Sequence, residues 1–92
     1  MNVRNVRNLD ELTDQGFVTL RKSLHRIEVI VRSNSIPPDV SISPEGTLHH
    51  RKVTAHGGVF LTTIVFHGQD YLPAEAYKVH IGDTVFRSTH AR

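Results

Sequence analysis

The sequence predicts an α+β fold: an N-terminal helix packed on a bent antiparallel sheet of about five strands, open or closed into a small barrel. Three observations predict it. Leu9, Leu12, Gly16, Leu20 and Leu24 recur at three- and four-residue spacing, the period of one helix face. Residues 26–32, RIEVIVR, alternate apolar and polar side chains, the period of a half-buried strand. Residues 47–67 place two extended runs around His56-Gly57-Gly58. Gly-Gly between such runs marks a two-residue hairpin turn, whose backbone needs positive φ.

The elements follow in order. Residues 1–8 hold the tandem Asn2-Val3-Arg4, Asn5-Val6-Arg7 and read as a flexible basic arm. A single α+β domain then spans 9–87. Asn8 and Glu11 have the spacing of a capping box. Asp10, Glu11 and Asp14 come early and Arg21 and Lys22 late, the order a helix dipole favours. Gly16 is unfavourable inside a helix, and Phe17–Leu20 has an alternative reading as a short strand. Ile27, Val29 and Val31 share one face of the next strand, which Ile36-Pro37-Pro38 ends. Val40–Ile42 reads as a short edge strand, and Pro44-Glu45-Gly46 as a turn.

In the hairpin, a turn at Gly57-Gly58 sets His56 opposite Val59, Ala55 opposite Phe60, Thr54 opposite Leu61, and so on to His50 opposite Val65 and His49 opposite Phe66. The run Val59–Phe66 carries apolar residues on both faces, as a central strand does. Thr47–Ala55 is its more exposed partner. A helical turn at Leu72–Ala76 around Pro73, a strand at Tyr77–Ile81, a turn at Gly82-Asp83 and a strand at Thr84–Arg87 complete the domain. Residues 88–92 read as a C-terminal tail.

The 92 residues suit one domain, with 38% apolar content and no cysteine. No disulfide framework or thiolate metal site is available. No apolar run reaches the roughly 18 residues of a membrane helix, and no apolar stretch follows Arg4 and Arg7 as in a secretory leader. A cytoplasmic location is expected. The net charge is +2, unevenly spread. Arg21, Lys22, Arg26 and Arg32 lie close in sequence with only Glu28 against them.

Seven histidines are the most unusual feature of the composition. Zinc needs three or four converging ligands. Adjacent His49 and His50 point to opposite faces of a strand, and His50 and His56 lie roughly 20 Å apart along one. No metal site or cofactor is expected from them. His67, Asp70, Glu75 and His80 surround a loop and could supply acid–base groups, but no nucleophile elbow or phosphate-binding glycine loop accompanies them. No enzymatic activity is expected. A metallohydrolase around His67 and His80 is the catalytic possibility the composition offers.

The order of a helix before five strands resembles that of Sm-like small barrels. The resemblance implies a ring-forming oligomer that binds RNA. Pro37-Pro38 and the long loop of residues 68–76 interrupt that order, and the chain contains no Sm sequence motif.

The expected function is that of a small non-enzymatic interaction or assembly protein. It acts through sheet edges or a sheet face on a protein partner, its own copies included. A viral or mobile-element accessory role suits so compact a chain. The alternative is nucleic-acid binding through a basic face of Arg21, Lys22, Arg26, Arg32, Arg51 and Lys52.

Overall fold

The computed structural model describes residues 5–13 and 16–88. Among these residues nine strands form two sheets: β1 (Asn5–Asn8), β2 (Leu12–Thr13), β3 (Gly16–Ser23), β4 (Arg26–Ser33), β5 (Val40–Ser43), β6 (Thr47–His56), β7 (Val59–His67), β8 (Lys78–Ile81) and β9 (Thr84–Arg87). One sheet runs β2-β3-β4-β7-β6 and the other β1-β9-β8-β5. All pairings are antiparallel except β1 with β9, which is parallel.

The architecture is therefore a two-sheet β fold, which overturns the α+β expectation. Among the described residues the only helical segment is a 3₁₀ turn at Ala74–Ala76. The predicted N-terminal helix is replaced by β2, β3 and the turns beside them, with Asp14 of that reading outside the described residues, for three physical reasons. Gly16 takes a φ of 109° and its missing Cβ makes room for the carbonyl of Arg32. Phe17-Val18-Thr19 is aromatic and β-branched, which favours a pleated backbone. The leucine stripe does not act as one face: Leu9 is buried and Leu20 packs against the core, but Leu12 is 82% exposed and Leu24 71%. The strand period instead buries Val18 completely. Asn8 and Glu11 do not cap a helix either. Asn8 Nδ2 donates to Glu11 Oε1 at 3.3 Å across a turn in which Asp10 has a φ of 64°.

The small barrel is also corrected: β1 and β5 end one sheet, β2 and β6 the other, and no closure joins them. The helix-first order shared with Sm-like barrels is accordingly absent. Residues 5–8, read from sequence as part of a flexible arm, are β1. The rest of the arm (1–4) and residues 89–92 of the tail lie outside the described residues.

The core sits between the sheets. Val18, Ile27, Val29, Val31, Ile64 and Phe66 come from the five-stranded sheet, and Ile42, Tyr77, Val79, Ile81 and Phe86 from the other side. Tyr77 is fully buried, and its hydroxyl accepts a hydrogen bond from the Gln69 amide at 3.1 Å, as a buried phenol requires. Gly68 lies against Tyr77 and Ile27 with no room for a Cβ. The turn after β1 carries the chain between the sheets: the Leu9 amide donates to Arg87 O at 2.7 Å and the Asp10 amide to Val18 O at 2.9 Å.

The central hairpin follows its sequence reading. Gly57 and Gly58 have φ of 58° and 79°. The β6–β7 register matches from His56–Val59 through Arg51–Ile64 to His50–Val65. It departs once: a bulge between Leu48 and His50 pairs Leu48, not His49, with Phe66. The edge strand at β5 and the strands β8 and β9 also lie where the sequence reading puts them.

Candidate functional site

Two surface features stand out, and both belong to the five-stranded sheet. The first is the edge strand β6. No described strand pairs with its outer side, and β7 alone holds it in the sheet. Its side chains are exposed along its whole length except at Arg51, which is half-buried. The face that continues the core face carries Leu48, 57% exposed, and Val53, 39% exposed. The four-stranded sheet does not reach far enough to cover them.

The second feature is the sheet face turned away from the core. Paired residues share a face, so the register places Arg21, Arg26, Arg32 and Lys52 on this outer face. Lys22 and Arg51 belong to the opposite face. Lys22 Nζ donates to Leu24 O and, at 3.3 Å, to Asp70 O. Arg51 Nη2 donates to Pro37 O at 2.9 Å. The six basic residues therefore do not form one continuous patch. Arg32 sits at the far end of β4, in a row with Phe17 and Leu61. Lys52 lies on the edge strand opposite Thr63.

Arg21, Lys22 and Arg26 do converge, at the β3–β4 turn, where they line a shallow cavity of about 320 Å³ with Ser23 and Glu28. Arg21 lies opposite Glu28 in the register, and Arg26 Nη2 is 3.6 Å from Glu28 Oε2. Three histidines extend this corner across the sheet. The ring of His67, paired with Arg26, meets His25 edge-on at 5.0 Å and stacks on His49 at 4.4 Å with 20° between planes. His25 Nδ1 lies 3.9 Å from Asp70 Oδ1. Partial burial, then the charges of His49, His25 and Arg26, lower the pKa of His67. The cluster brings three imidazoles up to Arg26.

His49 reaches His67 because of the β6 bulge. In an unbroken register His49 would face the other side. His25 sits in the two-residue turn between β3 and β4, with Leu24 at a φ of 54°. Neither position carries a pattern in the sequence that announces it.

The acid–base group suggested by sequence does not assemble. His67 is on the five-stranded sheet, whereas His80 lies on β8 of the other and its Nε2 is 2.8 Å from Ser43 Oγ. Glu75 is in the 3₁₀ turn, beside Leu9 and Leu20. Among the described residues no three His, Asp or Glu side chains are grouped to hold a metal ion, and stacked rings such as His49 and His67 do not aim their lone pairs at one point. Among the same residues no helix is long and apolar enough to cross a membrane. Comparison of the chain with protein-family models, curated proteins and solved structures finds no match.

Proposed function

We propose that the chain is a non-enzymatic assembly protein that joins a second copy of itself edge to edge through β6. The observation that supports this reading is the bare outer ladder of β6 with apolar Leu48 and Val53 exposed beside it. An edge of this kind is a template for strand addition.

The chemistry of β6 selects a register. In a two-residue hairpin the closing pair, His56 with Val59, exchanges both backbone bonds. Bonded and non-bonded pairs then alternate, so Ala55, Val53 and Arg51 turn their N–H and C=O groups outward. A twofold ladder centred on Val53 pairs those outward groups with their symmetry mates. It sets Arg51 opposite Ala55, Lys52 opposite Thr54 and His50 opposite His56, so no two permanent charges meet. Centring on Lys52 or Arg51 opposes like charges, which is destabilising. Val53 is also the midpoint of the straight segment between the bulge and the Gly57-Gly58 turn. The bulge and the basic residues discourage other registers, as protected edges do. The core faces of the two copies become continuous across the join.

Light scattering across a concentration series tests the reading. A discrete dimer that Val53→Lys dissociates, while Leu12→Lys on the opposite edge does not, is the expected result. A monomer at high concentration refutes the assembly.

A further inference from the structure

We propose that the corner formed by the β3–β4 turn, His49 and His67 is a second, independent binding site, whose ligand is single-stranded nucleic acid held by its phosphate backbone more tightly as the histidines take up protons. The site does not rest on edge pairing of β6.

The permanent cations are Arg21 on β3 and Arg26 on β4, which line one shallow cavity of the outer face, and Lys22, whose ammonium is held on the other side of the same turn by the Leu24 and Asp70 carbonyls. The guanidinium forks of Arg21 and Arg26 suit the paired oxygens of a phosphate. Two carboxylates stand among them: Glu28 on β4, against Arg26, and Asp70 after β7, against His25. At neutral pH the cations therefore only narrowly exceed the acids. Imidazoles change charge between about pH 5 and 8. Protonation adds positive charge at His25, His49 and His67 within one contiguous group. His50 lies in the next row of β6, opposite Val65, and adds to the same field. These imidazoles repel one another and Arg26 when charged, so a polyanion laid over them relieves the repulsion. Its binding and the protonation of the cluster reinforce each other.

Tyr71 selects nucleic acid over an acidic peptide. It is 77% exposed and follows Asp70, whose carbonyl takes the Lys22 ammonium and whose carboxylate lies beside His25. An exposed aromatic one residue from the groups that hold Lys22 and His25 can serve as a stacking platform for a base. Recognition therefore rests on backbone charge and stacking and carries little sequence preference.

Fluorescence anisotropy of a labelled oligothymidylate, with salt titrations at about pH 7.5 and about pH 5.5, tests the proposal. Affinity should rise about tenfold or more at the lower pH. The slope of log K against log salt should steepen from about −2, for three cations, toward about −4 when three imidazoles join them. Arg21→Glu with Arg26→Glu should abolish binding at both pH values, whereas Arg32→Glu with Lys52→Glu, away from the corner, should keep most of it. His25→Asn/His49→Asn/His67→Asn should hold the affinity at higher pH and flatten the pH response. Tyr71→Ala should cost the oligonucleotide about tenfold and leave inorganic polyphosphate unaffected. Circular dichroism confirms the fold of each variant. Binding that survives the double Arg substitution, a pH response that survives the triple His substitution, or tighter binding of poly-glutamate than of the oligonucleotide would overturn the assignment.

Discussion

Thr62 is fully buried on the core face of β7, between Val31 and Val53, and its hydroxyl has no hydrogen-bond partner among the described residues. A buried hydroxyl without a partner carries its desolvation cost uncompensated, on the order of 1–3 kcal/mol. Valine has nearly the same shape. Thr62→Val should therefore stabilise the fold by about 1 kcal/mol, which thermal unfolding would register as a rise of about 4–8 °C in Tm. Gly68 has the opposite character. A methyl group there strikes the Tyr77 hydroxyl and Ile27, so Gly68→Ala should destabilise by about 1–3 kcal/mol as an overpacking substitution. His67 supplies a pH signature. Its folded pKa lies below the ordinary histidine value, so the unfolded chain binds the proton more readily. Its contribution to stability is full above pH of about 6.5 and falls as pH drops toward the lowered folded value. Melting curves across that window should show a decline on acidification that His67→Gln reduces. A fall of Tm with rising pH across the same window would contradict it.

The central hairpin shows how far sequence reasoning reaches at the scale of an element. Gly57-Gly58 fixes the phase of two strands, and from it the pairs back to His50–Val65 follow by counting. The reading fails at His49, because a bulge is a backbone event that no side-chain alternation announces. The N-terminal segment fails for a different reason. Leu9, Leu12, Leu20 and Leu24 fit a helical period by coincidence, while Gly16 and the β-branched run after it carry the stronger local preference. The site was legible only in its ingredients. Arg21, Lys22 and Arg26 are visible as a basic run, but their meeting with His49 and His67 depends on the strand order β3-β4-β7-β6, which is non-local. The proposed β6 ladder gives a further prediction at this scale. The chain has no cysteine, so Val53→Cys introduces a lone thiol. Facing Cα atoms in a bonded antiparallel pair are about 5.5 Å apart, within disulfide range. Mild oxidation should yield a reducible covalent dimer with Val53→Cys and far less with Lys52→Cys. Equal cross-linking by the two variants would rule out the Val53-centred register.

At the scale of the molecule, the two open sheets have four edge strands among the described residues. Three are two to four residues long, and β6 is ten. Short edges are poor templates for addition, which leaves β6 as the edge that the proposed self-association would use. The proposed edge pairing and the proposed basic corner both draw on β6, one through its straight segment from His50 to His56 and the other through its bulged end. A chain paired through β6 therefore presents two cationic corners, one per copy. Oligonucleotides long enough to reach both should bind more tightly than short ones by multivalency alone. Val53→Lys should remove that length dependence without altering the affinity of short oligonucleotides, a difference that anisotropy with two lengths would detect.

The parallel pairing of β1 with β9 sets a condition on time. Among the described residues Asn5–Asn8 pairs only with Thr84–Arg87, almost the full described length away. During synthesis β1 must wait, unpaired, while every other strand emerges. The hairpins β3–β4 and β6–β7 can close early on local contacts, but the sheet containing β1 completes last. Folding dominated by such distant pairings is slow, in the range of milliseconds to seconds. In that interval the apolar run of β7 depends on its hairpin neighbours for protection.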